Sequence, residues 1–205
     1  MTDDLELRRL VAQERYTDAE EHCRTRLAEG GDPLYWTTQL GYVCFLNETD
    51  PVSYYERSVD LFAQLAESYP NDVNSRFWSG YLRLVVIDDV AGAVSRLNEV
   101  LRHAPRHPYA LLALSGSESD PVEKRHLLAA VLRVQPSNFR ALRDLAYLNV
   151  TAGSLAGALE IVDRMKLTEP YTETAFGIMN FYINDVLTGA THADVWVREL
   201  ESSVA

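Results

Sequence analysis

The sequence predicts an all-α fold, a solenoid of antiparallel helix pairs with about twelve helices. Three observations predict it. Apolar and small residues recur three or four apart along the chain, the spacing of one helix face. Four prolines, Pro70, Pro105, Pro136 and Pro170, close successive segments at intervals of 35, 31 and 34 residues, the period of stacked helical hairpins. No segment alternates β-branched residues between turn signals as a strand does.

The chain reads as a single array over residues 1–205, with units at about 1–32, 33–70, 71–105, 106–136, 137–170 and 171–205. The helices fall at about 3–14, 17–29, 33–47, 52–69, 72–87, 90–103, 107–115, 121–134, 138–152, 155–168, 171–188 and 192–202. In the first unit, Tyr16 and Ala19 begin a second helix that ends at "EGGDP", where Gly30 or Gly31 takes the left-handed stop conformation. The second unit sets Trp36 with Leu40-Gly41 on its first helix. Its second helix carries Ser58, Phe62, Leu65 and then Pro70, in steps of 4, 3 and 5. The third unit pairs Phe77 with Gly80, and Ala93, Leu97, Val100 and Pro105 repeat those steps.

The fourth unit is the short one. Its first helix, about Pro108 to Ser115, is cut off by "GSESDP", in which Asp120 is an N-cap and Pro121 a first-turn residue. A local kink in the array is expected there. In the fifth unit Leu142, Leu145, Ala146 and Asn149 make one face, Gly153-Ser154 breaks it, and Ala158, Ile161, Val162 and Met165 make the next. Ala146 and Ala158 let the two backbones approach closely. The last helix opens with "THAD", a pattern like a capping box. Val195, Trp196 and Leu200 lie on one side and Glu199 and Glu201 on the other, the mixed face that closes a stack.

With 47% hydrophobic and 24% charged residues, the composition is that of a folded, soluble chain. Basic residues number 19 against 30 acidic, a net charge of −11. That excess argues against nucleic acid, whose phosphates need a basic face, and against an anionic membrane surface. Residues 1–102 hold 18 acidic and 10 basic residues, a net of −8, and residues 103–205 hold 12 and 9, a net of −3. The acidic N-terminal half suits a basic partner, and it also keeps a surface solvated. The start "MTDDLELRRL" lacks the features of a secretory signal, and no apolar run reaches the roughly 18 residues of a membrane span. The two cysteines, Cys23 and Cys44, fall at small apolar core positions and read as free thiols. The cytoplasm is the expected address.

No catalytic, metal or cofactor signature stands out. His103 and His107 lie four apart, but Pro105 separates them, so they share no helix face. His22, His126 and His192 are isolated. Asp88-Asp89 reads as a loop and helix start. No glycine-rich phosphate loop, nucleophile elbow or Cys-His pattern occurs. The chain is read as a non-enzyme without cofactor.

The repeat register resembles the tetratricopeptide repeat family. The likeness is carried by Trp36 with Leu40-Gly41, Phe77 with Gly80 and Leu142 with Leu145-Ala146 on first helices. On second helices it is carried by Tyr16 with Ala19 and by the Ser58, Ala93 and Ala158 series. The resemblance implies a right-handed superhelix whose first helices line a concave groove that binds peptides or helices of other proteins. Carried onto this chain, the groove positions are Tyr35, Gln39, Tyr42 and Phe45, with Thr38 beside them. Trp78 and Leu82 follow from the third unit, Arg140, Arg143 and Tyr147 from the fifth, and Phe176, Met179 and Tyr182 from the last. Tyr, Trp and Arg are the side chains that anchor protein interfaces. Some family members hold a partner's terminal carboxylate with a lysine-containing cluster. Here Lys124 and Lys166 are the only lysines, both on second helices, so that mode is not expected. Arg140 and Arg143 suit an acidic motif. The expected function is an adaptor that binds a peptide or helix in an aromatic groove. The alternative is a dedicated neutralising partner, such as a toxin immunity protein, or a secretion chaperone using its acidic half. Self-association through Trp196 and the C-terminal cap is compatible with either.

Overall fold

The computed structural model describes residues 5–47, 49 and 51–166. Ten helices and no strand occur among the described residues: α1 (Leu5–Ala12), α2 (Tyr16–Ala28), α3 (Pro33–Leu46), α4 (Pro51–Ser68), α5 (Val73–Val85), α6 (Val90–His103), α7 (Pro108–Ser117), α8 (Pro121–Val134), α9 (Phe139–Thr151) and α10 (Leu155–Lys166). Each odd-numbered helix packs on the even-numbered helix that follows it, making the expected hairpins. The two C-terminal helices expected at 171–188 and 192–202, and the "THAD" cap, lie outside the described residues. The chain divides into two compact units, Met1–His103 and Ala104–Ala205, at the boundary marked in the sequence by Pro105. Unit 1 stacks the pairs α1–α2, α3–α4 and α5–α6 through α2 on α3 and α4 on α5; unit 2 joins α7–α8 to α9–α10 through α8 on α9.

Local chemistry explains the boundaries. The Asp32, Asp72 and Asp120 carboxylates accept backbone N–H bonds at the starts of α3, α5 and α8, and proline occupies the first turn of α3, α7 and α8. The buried Asn138 caps α9, its Oδ1 accepting from the Ala141 N–H at 2.9 Å. The turn after α2 places Gly30 at φ 83°, and the turn between α9 and α10 places Gly153 at φ 73°, where a side chain would be strained. Gly30, not Gly31, is therefore the left-handed stop. The α5–α6 turn uses a non-glycine residue, Asp88 at φ 59°. Beside it the Asp89 carboxylate accepts from the Gly92 N–H and from Arg83, and both bonds hold it below its ordinary range. The shortened fourth unit is a complete hairpin whose first helix runs two residues past the expected Ser115.

The recurring 4-3-5 steps are core contacts. Ser58, Phe62 and Leu65 are buried on α4, as are Ala93, Leu97 and Val100 on α6. Small residues on the preceding helices let them in. A Cβ at Gly41 would lie 2.6 Å from the Phe62 ring, and one at Gly80 would lie 3.3 Å from Leu97. Ser58 stands where α2, α6 and α10 carry alanine, and its hydroxyl is satisfied by donating to the Gly41 carbonyl at 2.9 Å. Ala146 and Ala158 have no exposed surface, as close helix approach requires. Cys23 and Cys44 are free and buried, and burial pushes the Cys44 thiol up to about 11, which makes it unreactive.

The cap of α7 is a histidine. His107 Nδ1 accepts the Ala110 N–H at 3.1 Å, so the ring must be neutral at that nitrogen. Burial lowers its pKa below the ordinary 6.5. The unfolded chain therefore takes up the proton first, so this contribution to stability is complete above pH 6.5 and is lost as pH falls through the folded value. Asparagine caps equally well without titrating. Denaturation of the chain and of His107→Asn at pH 7.5 and pH 5.5 should show the native chain losing on the order of 0.5–2 kcal/mol relative to the variant. Parallel pH profiles would show that the cap does not titrate.

Candidate functional site

Unit 1 holds a cavity of about 660 Å³ where the start of α5 meets the start of α3. Arg26 of α2 and Gly31-Asp32 of the turn form one side. Leu34, Tyr35, Trp36 and Thr38 of α3 form the wall, and Asp72 and Asn74 close the far side. Its volume is in the range of sites that enclose small molecules or side chains.

Aromatic packing and N-caps hold the walls. The Tyr35 ring meets Trp36 edge-on at 5.0 Å, and Trp36 also receives the His22 ring at 5.8 Å. The Arg26 guanidinium lies over Trp36 at 5.4 Å and bonds Glu29 at 3.0 Å. Asp32 Oδ1 accepts the Tyr35 N–H at 2.9 Å. Asp72 Oδ2 accepts the Ser75 N–H at 2.7 Å and its hydroxyl at 2.6 Å. Asn74 joins the two hairpins: its Nδ2 lies 2.8 Å from the Tyr42 hydroxyl, which lies 3.1 Å from its Oδ1. Burial pushes the Tyr42 phenol up to about 12, so it stays neutral. Close packing sets the turn as well, since a Cβ at Gly31 would lie 2.6 Å from the Trp36 ring.

The residues expected to line a groove fall into three groups. Tyr35, Gln39 and Phe45 are half-buried on α3, and Tyr42 keeps only a small exposed edge. Trp78 and Leu82 have no exposed surface. They are core residues rather than lining: Trp78 is ringed by Tyr42 at 5.1 Å, Phe62 at 5.4 Å and Tyr81 at 5.7 Å, all closer than a partner side chain could come without displacing them. In unit 2, Tyr147 is exposed on α9, while Arg140 and Arg143 are half-buried, with Arg143 bonded to Asp144 at 2.8 Å. Phe176, Met179 and Tyr182 lie outside the described residues. Sequence reasoning missed Arg26, Asp32, Asp72 and Asn74 as lining. The two aspartates carried a signal, but it was the signal of a helix start.

His103 is exposed at the end of α6 and His107 caps α7, so they share no face, as the intervening proline implies. Among the described residues, no group of three or more His, Cys, Asp or Glu side chains is placed to hold a metal ion. No described helix is long and apolar enough to cross a membrane.

Residues 125–170 match the tetratricopeptide repeat family model. No curated protein matches the chain. Among solved structures, MamA 41-end from Desulfovibrio magneticus RS-1 aligns with a TM-score of 0.61 at 18% identity, covering 82% of this chain and 93% of that one. The MamA RS-1 ArsTM double mutant aligns at 0.60 and 19% identity, over 77% of this chain and 87% of that one. TTC0263, a thermophilic tetratricopeptide repeat protein of Thermus thermophilus, aligns at 0.52 and 15% identity, over 84% and 97%. At these identities the likeness is one of fold. The proline period, the hairpins with their small-residue contacts and the match over residues 125–170 together give the chain the helical-hairpin fold of tetratricopeptide repeat proteins.

Proposed function

We propose that the chain is a non-catalytic protein-interaction module, and that unit 1 binds a peptide or helical segment of a partner protein along α3 and the start of α5. The observation that carries this reading is the cavity between the two hairpins, walled by aromatic side chains and edged by polar groups. Concave sites of mixed aromatic and polar lining are where buried anchor side chains contribute most of a binding energy. Stacked hairpins hold such a surface rigidly, which reduces the ordering cost of association. Tyr42 and Phe45 extend the same helix face, and Arg140, Arg143 and Tyr147 are the corresponding positions of unit 2.

The test is affinity for a partner isolated with the native chain. Tyr35→Ala should weaken binding by about tenfold or more, the scale of an interface anchor, while Gln64→Ala on the exposed side of α4 should leave it unchanged. Equal affinity of the folded Tyr35→Ala chain and the native chain would move the interface elsewhere.

A further inference from the structure

The turn between α5 and α6 exposes an apolar tip. Val85 is 46% exposed, Ile87 48% and Val90 44%, with Ala91 exposed beside them. Single exposed aliphatic side chains are ordinary on a protein surface, but here three fall within the six residues 85–90 of one turn. The turn is held rigid. The Asp89 carboxylate accepts the Gly92 N–H at 2.9 Å and an Arg83 N–H at 2.8 Å, the Asp89 N–H donates to the Arg83 carbonyl at 2.9 Å, and Asp88 stands at φ 59°. β-branched side chains on such a turn lose little freedom when a partner covers them. The start of α4 adds to the same end of unit 1. α4 and α5 are packed neighbours joined by a short turn, so they run antiparallel, and Phe62 stacks on Trp78 at 5.4 Å. Tyr55 and Val85, each seven residues along from that contact, therefore come to one end, as do Val52, at 69% exposure, and the exposed Glu56.

The charge at this end is acidic and unmatched. Arg83 is bonded to Asp89 at 2.8 Å, and among the described residues neither Asp88 nor Glu56 forms an ion pair. We propose that this end of unit 1 is a second docking surface, and that its occupant is a segment of a partner protein in which aliphatic or aromatic side chains stand beside lysine or arginine. The apolar side chains cover Val85, Ile87 and Val90, and the cations meet Asp88 and Glu56. The 18 acidic against 10 basic residues of the first 102 draw such a segment and repel an anionic membrane surface. They also disfavour a second copy, which would set one acidic tip against another acidic surface. The surface is separate from the α3 face. The cavity lies at the start of α5 and the tip at its end, about 18 Å along the helix. The inference goes beyond the groove reading and does not depend on it.

The experiment selects binders from a displayed library of random dodecapeptides on the full native chain, after depletion on the Ile87→Ser/Val90→Ser chain. Both positions are exposed, so the substitutions leave the fold intact, which circular dichroism and the urea midpoint check. The expected result is a set of surviving peptides that combine apolar side chains with lysine or arginine. Each should lose about tenfold or more in affinity on Ile87→Ser. Each should lose about two- to fivefold on Asp88→Asn, which removes the charge and keeps the turn, because asparagine tolerates a positive φ. Affinity for the Tyr35→Ala chain should be unchanged, which separates this surface from the groove. No surviving peptide, survivors without basic residues, survivors indifferent to Asp88→Asn, or survivors weakened by Tyr35→Ala would overturn the proposal. The groove reading would still stand or fall on Tyr35→Ala against an isolated partner. A native chain that light scattering shows to be a dimer, and that Ile87→Ser returns to a monomer, would overturn the proposal too, by assigning the tip to a second copy.

Discussion

Trp78→Ala should lower the stability of unit 1 by about 3–5 kcal/mol, the largest effect expected of any single substitution. Trp78 has no exposed surface and sits at the centre of an aromatic cluster drawn from three helices. Phe62 of α4 stacks on it at 5.4 Å, Tyr42 and Phe45 of α3 meet it at 5.1 and 5.9 Å, and its neighbours Phe77 and Tyr81 on α5 lie at 5.8 and 5.7 Å. Removal of the indole takes away the transfer energy of a large ring and leaves a cavity that five rigid rings cannot collapse to fill. It also loosens the contact between the second and third hairpins, because rings from both meet there. The urea midpoint measures the loss. Tyr147→Ala, at an exposed position on α9, should change stability by no more than about 0.5 kcal/mol and serves as the control. A loss under about 1 kcal/mol at Trp78 would show that the aromatic cluster is not the core of unit 1.

Gly41→Ala follows, and its sign distinguishes packing from helix propensity. Alanine in mid-helix gains about 0.5–1 kcal/mol over glycine where space allows. At Gly41 it does not, since the added Cβ would stand 2.6 Å from the Phe62 ring. That ring is fully buried and stacked on Trp78, so it has nowhere to retreat. Overpacking of this kind costs about 1–3 kcal/mol and outweighs the propensity gain. Gly116 on α7 is the counterpart. A Cβ there meets nothing within 4 Å, so Gly116→Ala should be neutral or stabilising. Denaturation of the two variants should give opposite signs. Stabilisation by both would mean that α3 and α4 are further apart than Gly41 and Phe62 indicate.

Much of the fold was legible because its signals are local. Gly30, Gly153, Asp120 and Pro121 act within one turn of chain, and each does what its chemistry announces. The Ser58, Ala93 and Ala158 series was legible because close helix approach demands a small side chain wherever it recurs. The site was harder. Tyr42 and Trp78 lie on helices of like pattern, and a modest rotation about the helix axis separates a groove position from a core one. Spacing alone does not resolve that rotation; the ring of neighbours around Trp78 does. The cavity itself joins Arg26, Asp32, Asp72 and Asn74, residues brought together by the stacking of hairpins and by nothing in their own neighbourhoods. Asp32 and Asp72 also do two things at once. Their capping role is written beside them in the sequence, and their shared outlook into a cavity is not.

The central claim is that the face built by α3 and the start of α5 is the surface that meets a partner protein. Photo-crosslinking tests it most directly. Benzoylphenylalanine would be placed singly at Tyr35, at Gln39 and at the exposed Gln64 of α4, and each chain irradiated in extract of the source organism. The account predicts a discrete covalent adduct from positions 35 and 39, and none from 64. Adducts from 64 with none from 35 or 39 would contradict it, and would move the interface to the opposite wall of the hairpins.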